Sequence, residues 1–263
     1  MPLALLLAVA LHSTHPVATI LCYHEVDDAS AAHATIPRLT ASGDTKSEQL
    51  RYTASPAQFE EELEFIAANH YNVIPLADLV DFLHGKRDSL PEHAVVITVD
   101  DGWLCASTEI LPALRKRGWP WTLFVYPKIV GRGSHALTWA QIEELARDGV
   151  DVESHTYTHP FLTKSTDLDH ELIDSKREIE SHTHTPVRFL CYPFGDYNAA
   201  VIDAATRAGY EAGLTTTRGP IAGETSPMEL KRYLIHNDTT LADLKTFLVQ
   251  DGNLIDGFSS RAR

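Results

Sequence analysis

Short apolar runs alternate with amphipathic segments along the chain, and this alternation predicts the elements and the fold class. The runs that suit strands buried on both faces are Ala18–Tyr23, Ala94–Val99, Pro120–Tyr126, Asp151–Ser154, Phe189–Tyr192, Ala212–Thr215 and Tyr233–Ile235. Helical spacing of apolar residues predicts one helix that begins at Pro56 and others over Leu76–His84, Ser107–Arg117, Trp139–Arg147, Leu168–Ser181, Asn198–Ala208 and Leu241–Val249. The pattern therefore predicts a single α/β domain in which helices cover a parallel sheet, open or closed into a barrel.

Unusual polar clusters follow the predicted strands directly. His24 follows the first strand, Asp100-Asp101 the second, His155 the fourth and Pro193-Phe194 the fifth. The carboxyl ends of parallel strands lie at one edge of a sheet, which in α/β barrels carries the active site. The sequence thus predicts one site at that edge.

The N-terminus and one internal stretch depart from the alternation. MPLALLLAVAL, residues 1–11, is too short to span a bilayer as a helix and is typical of the apolar core of a secretory signal peptide. We predict a signal or anchor segment over residues 1–16 and one domain over residues 17–263, with a buried first strand or helix as the alternative. Asp27 to Pro56 lacks periodicity and is predicted to be a long loop.

Composition and charge narrow the class of partner. The 263 residues are 44% hydrophobic and 22% charged, which is ordinary for a packed domain. The net charge of −14 argues against nucleic acid and anionic membrane surfaces as partners. Cys22, Cys105 and Cys191 form no disulfide or metal-binding pattern and are predicted to be buried small hydrophobic residues.

A histidine pair is the first candidate for chemistry. The segment HTYTH at 155–159 places His155 and His159 four residues apart, which on one side of a helical turn allows both imidazoles to bind one metal. The chain has 14 histidines, so surface or packing roles are the alternative.

A carboxylate pair is the second candidate. Asp100 and Asp101 end a hydrophobic strand, and two adjacent carboxylates are costly to bury unless a positive charge compensates them. A metal would allow one aspartate to act as a ligand while its neighbour accepts a proton. A turn with an aspartate helix cap is the alternative.

Four motifs in order carry a family resemblance. TVDDG at 98–102 resembles T-F-D-D-G, HTYTH at 155–159 matches H-[ST]-x-x-H, PFG at 193–195 resembles the end of R-x-P-[YF]-G, and LIH at 234–236 resembles L-x-H. Over about residues 17–249 the chain thus resembles the polysaccharide deacetylase family, carbohydrate esterase family four. The resemblance implies a distorted (β/α) barrel in a single domain.

The resemblance also implies roles for these residues. Asp101, His155 and His159 would hold a divalent metal, zinc in the first place, with open positions for water and substrate. Asp100 would be the general base and His236 the general acid. The main-chain N–H of Phe194 would stabilise the oxyanion together with the metal.

A subgroup resemblance concerns the substrate. Tyr23-His24-Glu25 and CYPFG at 191–195 resemble extracellular deacetylases that act on poly-N-acetylglucosamine. This implies substrate-binding roles for Tyr192, Pro193, Phe194 and, at the rim, His24. Trp103 is a separate candidate for a sugar-stacking surface, because it directly follows the Asp-Asp-Gly turn. A hydrogen-bonded strand-end histidine and a core tryptophan are the alternatives.

Two family positions are not matched. The third motif carries an arginine that orients the base, and here that position is Cys191. Arg188 lies too far back along its strand, and Arg232 is another candidate for this role. The aspartate that flanks the acid histidine has no clear match, and Asp238 is a candidate partner of His236.

The function predicted is metal-dependent hydrolysis of N-acetyl groups from an N-acetylglucosamine-containing polysaccharide, with release of acetate. O-acetyl ester hydrolysis on acetylated xylan, peptidoglycan deacetylation and non-catalytic carbohydrate binding are the alternatives. The predicted partner is an acetylated amino-sugar polysaccharide, with no nucleic acid and no membrane span beyond the N-terminal segment. The predicted location is secreted, periplasmic or at the cell surface.

Overall fold

The structure is a computed structural model that describes residues 16–28 and 51–248. The apolar segment over residues 1–11 and most of the predicted loop from Asp27 to Pro56 lie outside these residues. So does Val249, the last residue of the final predicted helix.

All seven predicted strands are present, and each starts or ends within two residues of its predicted bounds. The strands are β1 Pro16–Tyr23, β2 Glu25–Val26, β3 Thr53–Ala54, β4 Asn72–Val73, β5 Ala94–Val99, β6 Thr122–Val125, β7 Asp151–Ser154, β8 Phe189–Cys191, β9 Ala212–Leu214, β10 Ile221–Ala222 and β11 Tyr233–Leu234. The two-residue strands β2, β3, β4 and β10 were not predicted, because a pair of residues has no periodicity to detect.

The main sheet is a curled half-barrel with the strand order β10-β1-β5-β6-β7-β8-β9. Neighbours from β1 to β9 pair in parallel, while β10 pairs with β1 antiparallel. Strand β11 also pairs with β1 in parallel and places Leu234 opposite Cys22. The predicted single α/β domain with a barrel-like sheet is therefore confirmed, and the carboxyl ends of β1, β5, β7, β8 and β11 meet at one edge.

Helices cover the sheet where apolar stripes were predicted. They are α1 Pro56–Ala68, α2 Leu76–Leu83, α3 Leu111–Arg117, α4 Trp139–Arg147, α5 Ser175–Thr183, α6 Ala199–Arg207 and α7 Leu241–Leu248. Wider π-helical turns at Ala106–Ile110 and His170–Asp174 precede α3 and α5. Ser55 caps α1 by accepting a hydrogen bond from the Gln58 N–H, as the Ser-Pro start predicts.

Side chains on the two faces of each strand pack into two separate cores. One core contains Leu21, Val95 and Ile97 and joins the sheet to most of the helices. The other contains Ile20, Val96 and Phe124 together with α2 residues such as Leu79. None of the helices within residues 16–28 and 51–248 is long and apolar enough to cross a membrane.

Candidate active site

The three predicted metal ligands converge at the carboxyl edge of the sheet. Asp101 follows β5, and the loop after β7 carries His155 and His159. Asp101 Oδ1 lies 3.6 Å from Nε2 of each histidine, and the two Nε2 atoms are 3.1 Å apart. All three side chains are buried. Two imidazole nitrogens and a carboxylate oxygen at these separations form a donor set that could hold one metal ion.

The histidine segment is not the helical turn that the spacing suggested. Thr156 and His159 have φ values of +64° and +61°, in the left-handed region, so the backbone after β7 forms an irregular loop. The β-branched Thr156 is a rare occupant of that region. Asp101, with φ +80°, is held there as well. Non-glycine residues in this conformation carry local strain, which the surrounding contacts must offset.

Glu171 supplies those contacts. This buried carboxylate accepts hydrogen bonds from the N–H groups of Tyr157 and Thr158 at 3.0 and 2.8 Å, and from the Thr158 hydroxyl at 2.6 Å. The Ser175 hydroxyl donates to the carbonyl oxygen of Thr156 at 2.9 Å. The loop is thus tied to the start of α5, which fixes the approach of the two imidazoles.

Hydrogen bonds on the side away from the donor set orient two of the predicted ligands, His155 and Asp101. His155 Nδ1 lies 2.8 Å from the carbonyl oxygen of Cys191, which can only accept a hydrogen bond. The proton is therefore on Nδ1, and the Nε2 lone pair points toward Asp101 and His159. The Trp103 indole N–H donates to Asp101 Oδ2 at 3.0 Å, which leaves Oδ1 facing the histidines.

Asp100 is held by a buried arginine. Arg232 Nη1 and Nη2 donate to Asp100 Oδ1 and Oδ2, each at 2.9 Å, and Arg232 Nε donates to the carbonyl oxygen of Thr215. Arg232 is 1% exposed and Asp100 1%. Burial alone would raise the pKa of Asp100, but the attraction of Arg232, with His155 and His24, outweighs it and holds the pKa far below its usual range.

Arg232 is thus the group that holds Asp100, as its candidacy for the base-orienting role suggested. Arg188, which directly precedes β8, instead pairs with Asp81 and Glu211 away from the site, in line with the prediction that it lies too far back to orient the base. Arg232 lies just before β11, which pairs with β1, so a residue distant in the chain reaches β5 from the side.

The thiols of Cys22 and Cys191 also contact Asp100. Their sulfur atoms lie 3.4 and 3.3 Å from Asp100 Oδ2. All three cysteines are free and buried, as predicted. Burial raises the pKa of both thiols well above the ordinary value, against the attraction of Arg232. The prediction that they serve only as small hydrophobic residues missed this contact.

The three candidate metal ligands, Asp100 and Arg232 line one cavity of about 210 Å³. Its walls contain Asp100, Asp101, His155, His159, Arg232, His24, Tyr192, Phe194, Arg51, Tyr52, Tyr126, Thr216 and Leu234. Arg51, Tyr52, Tyr126 and Thr216 were not predicted. Tyr126 directly follows β6, so the rule that polar residues after strands belong to the site could have found it. Arg51 and Tyr52 lie in a stretch without periodicity.

His236 lies in a second cavity of about 360 Å³ that adjoins the first. The two share Arg51, Thr216, Arg232 and Leu234 as lining residues. His236 Nε2 is buried and has no hydrogen-bond partner among the described residues. Burial and the nearby Arg51 lower the pKa of His236, and Asp238 opposes this shift only in part. The structure thus places the predicted acid beside the metal-ligand cavity rather than within it.

The predicted substrate-binding residues fall into two groups. His24 and Phe194 line the cavity and are partly exposed, and Phe194 contacts the His159 ring edge-on at 4.7 Å between centroids. Tyr192 also lines the cavity, but its ring is buried and its hydroxyl donates to the carbonyl oxygen of Met228.

Pro193 and Trp103 are buried and do not line this cavity. Trp103 therefore does not present a sugar-stacking surface to the cavity, because its ring is buried outside the lining, where its indole N–H donates to Asp101. A position just after a strand does not reveal whether the side chain faces the cavity or packs into the interior.

Comparison with known proteins places this arrangement in a family. Residues 87–213 match the sequence model of the family described as polysaccharide deacetylase. YxkH of Bacillus subtilis (strain 168), which is named as a polysaccharide deacetylase, is 31% identical over 181 residues, covering 68% of this chain and 64% of that protein. The poly-beta-1,6-N-acetyl-D-glucosamine N-deacetylase of Escherichia coli (strain K12) is 22% identical over 250 residues, covering 76% of this chain and 36% of the relative.

The chain therefore spans less than two thirds of the length of either relative. Among solved structures, the Streptococcus pyogenes deacetylase PplD in complex with acetate superposes with a TM-score of 0.74 at 22% identity, covering 89% of this chain and 99% of that one. At this identity the structural likeness establishes the fold. The family match and the motifs together lead to one conclusion: the chain belongs to the polysaccharide deacetylase family.

Proposed function

We propose that this protein is a metal-dependent hydrolase that removes N-acetyl groups from an acetylated amino-sugar polysaccharide and releases acetate. The observation that carries the proposal is the buried donor set Asp101, His155 and His159 in the same cavity as Asp100. A ligand set beside an oriented carboxylate is an arrangement suited to metal-assisted hydrolysis of an unactivated amide.

The residues present fit a divalent metal. Two histidines and one carboxylate form the three-ligand set of catalytic zinc sites, which leaves a position open for water or substrate. The Nδ1 proton of His155, fixed by the Cys191 carbonyl, leaves its Nε2 free to bind, and the Trp103 N–H fixes the Asp101 carboxylate. When bound, the metal would act as a Lewis acid toward the acetyl carbonyl and would make a water acidic at neutral pH.

Asp100 is proposed to take the proton from the attacking water. Its ionised state and its orientation both come from Arg232. The main-chain N–H of Phe194 remains our proposed donor to the oxyanion. Phe194 has φ +60°, and its ring stacks on Phe161 at 4.3 Å between centroids, so the position of this turn is well defined.

Proton delivery to the leaving amine can come from either of two histidines. His236 is the residue that the family motif indicates, and its buried Nε2 has no described partner. His24 lines the cavity that contains the metal ligands, and Tyr52 lies between the two rings, 4.9 Å from His24 and 5.2 Å from His236. The shared cavity favours His24 as the donor, with His236 as the second candidate.

The two histidines can be distinguished by the leaving group. An amide needs a proton on its departing nitrogen, whereas an activated aryl acetate expels a stable phenolate without one. Replacing the acid with glutamine should therefore reduce acetate release from N-acetyl sugars much more than from an aryl acetate. Equal losses on both substrates for His24→Gln and for His236→Gln would leave neither as the acid.

Amino-sugar polymers are proposed as the substrate because a matched relative is named as a poly-beta-1,6-N-acetyl-D-glucosamine N-deacetylase. The adjoining cavity could take a neighbouring sugar, since it shares lining residues with the first. With Arg232 paired to Asp100, the remaining charged lining residues are Arg51 and Arg218 against Asp238 and Asp243. Such a balance of charges suits a neutral polyhydroxyl ring. A polymer substrate and the apolar segment over residues 1–11 also underlie the proposed location outside the cytoplasm.

The test compares acetate release from N-acetylglucosamine oligomers and from acetylated xylan, using wild type, Asp100→Asn and the exposed control Asp203→Asn. The proposal predicts preference for the N-acetyl oligomers, near-complete loss in Asp100→Asn with metal retained, and no change in the control. Preference for acetylated xylan would make the protein an O-acetyl esterase instead. Absence of release from both substrates with metal bound would favour a non-catalytic role.

A further inference from the structure

We propose that the thiols of Cys22 and Cys191 position the Asp100 carboxylate by donating hydrogen bonds to its Oδ2 atom, so that Oδ1 is the atom that receives the proton from water. This inference rests on the proposed function for its catalytic consequence. The hydrogen bonds themselves are independent of that function and can be tested without it.

The contacts on the carboxylate are uneven. Oδ2 lies 2.9 Å from Arg232 Nη2, 3.3 Å from Cys191 Sγ and 3.4 Å from Cys22 Sγ. Oδ1 lies 2.9 Å from Arg232 Nη1. Three donors surround one oxygen, and one donor contacts the other.

The direction of these bonds follows from charge. Asp100 faces a guanidinium at bidentate distance inside the protein, so its carboxylate is ionised and can only accept hydrogen bonds. Each thiol at 3.3–3.4 Å must therefore be the donor. A buried thiolate next to a carboxylate would be strongly disfavoured, so both thiols keep their protons.

The consequence concerns which oxygen reacts. Each carboxylate oxygen offers about two lone-pair sites, so three donors saturate Oδ2. Oδ1 keeps a free lone pair after accepting from Arg232. Asp100 lines the cavity that contains the metal ligands, which makes Oδ1 the atom able to take a proton there.

The same geometry explains why a small residue stands at position 191. Arg232 Nη2 lies 3.1 Å from Cys191 Sγ, so the guanidinium occupies space that a longer side chain on β8 would fill. An arginine at position 191, as in the family motif, would need the space beside Asp100 that Arg232 occupies. Cysteine leaves room for Arg232 and still provides a donor of its own.

The experiment uses alanine, which removes the donor, and serine, which keeps it. Cys191→Ala, Cys191→Ser, Cys22→Ala and Cys22→Ser are compared with Cys105→Ala. Cys105 is a matched control because it is also buried, but its sulfur accepts from the Val26 N–H and donates nothing to Asp100. The first readout is the infrared S–H stretching band, which moves to lower frequency when a thiol donates to a carboxylate.

Each of Cys22→Ala and Cys191→Ala should remove one low-frequency S–H band, Cys105→Ala should remove neither, and Asp100→Asn should shift both bands upward. Because bonds to a charged acceptor are stronger than neutral ones, each alanine variant should lower kcat about tenfold at unchanged metal content, with partial recovery in the serine variant. S–H bands whose frequencies stay unchanged in Asp100→Asn would overturn the inference. Alanine variants within twofold of wild-type kcat, or serine variants that lose as much as alanine, would overturn its catalytic part. The expected bands in a wild type that releases no acetate would instead refute the proposed function.

Discussion

Replacing Arg232 with methionine should destabilise the protein strongly, because Asp100 would remain buried without its charge partner. Arg232 and Asp100 are each 1% exposed and share two hydrogen bonds at 2.9 Å. Breaking a buried ion pair from one side typically costs about 3–5 kcal/mol, whereas exposed pairs contribute about 0.2–1 kcal/mol. For a domain of this size the loss corresponds to a decrease in Tm on the order of 10 °C.

The pH dependence has a definite sign. In wild type the pKa of Asp100 is depressed, so its contribution to stability is present at neutral pH and is lost only when the pH falls through that low folded-state pKa. In Arg232→Met, burial dominates and raises the pKa of Asp100. The loss of unfolding free energy in Arg232→Met, relative to wild type, should therefore be largest at neutral pH. It should decrease as the pH falls and Asp100 becomes protonated.

The assay is urea unfolding of Arg232→Met, Asp100→Asn, the double variant and the control Arg188→Met. Arg188 also pairs with two carboxylates, but its side chain is 27% exposed and those of Asp81 and Glu211 are 33% and 34% exposed. We expect Arg188→Met to lower the free energy of unfolding by at most about 1 kcal/mol. Adding Asp100→Asn to Arg232→Met should restore part of the free energy of unfolding that Arg232→Met loses. If both arginine variants lose similar amounts, or if the double variant is additive, the assignment of Arg232 as the partner of Asp100 is refuted.

Three further variants test other parts of the structure. Glu171→Ala should weaken zinc binding about 10–100-fold in a competition titration, because the loop that carries His159 loses the carboxylate that accepts its N–H groups. Unchanged zinc affinity would contradict this. Burial raises the pKa of Glu62 to about 7, so the folded state loses stability as the pH rises and this carboxyl must ionise. Glu62→Gln should therefore flatten the decrease in unfolding free energy between about pH 5 and 8. Parallel pH curves for the variant and wild type would contradict this. Gly213→Ala should lower the free energy of unfolding by about 1–3 kcal/mol, because the new Cβ would overlap the Tyr192 hydroxyl in a packed interior; wild-type stability would show that Tyr192 can move.

The sequence could predict the strands, the helices and the metal-ligand set for a physical reason. Buried parallel strands read as apolar runs, and the residues that follow them share one edge of the sheet. That rule points to the aspartate pair and to His155, the four-residue spacing adds His159, and the family resemblance selects Asp101 as the ligand; the structure brings the three residues together.

Other features depended on contacts that have no local signal. Arg232 reaches Asp100 because β11 pairs with β1, and a two-residue strand leaves no periodicity to predict that pairing. The left-handed backbone at Thr156 and His159 is fixed by Glu171 from another element, so histidine spacing alone suggested a helical turn instead. Cys22 and Cys191 resembled ordinary apolar residues of strands. Pairing of β1 with β5 brings Cys22 to Asp100, and the curl of the sheet brings Cys191 there from β8.

The central claim is that Asp101, His155 and His159 hold a metal that the reaction requires. The most direct measurement is acetate release from N-acetylglucosamine oligomers, made together with metal analysis of the same samples, before chelation, after chelation and after addition of zinc. We predict about one metal per chain in the active protein, loss of release when that metal is removed, and recovery in proportion to the zinc restored. Undiminished acetate release from protein shown to be free of metal would contradict the account.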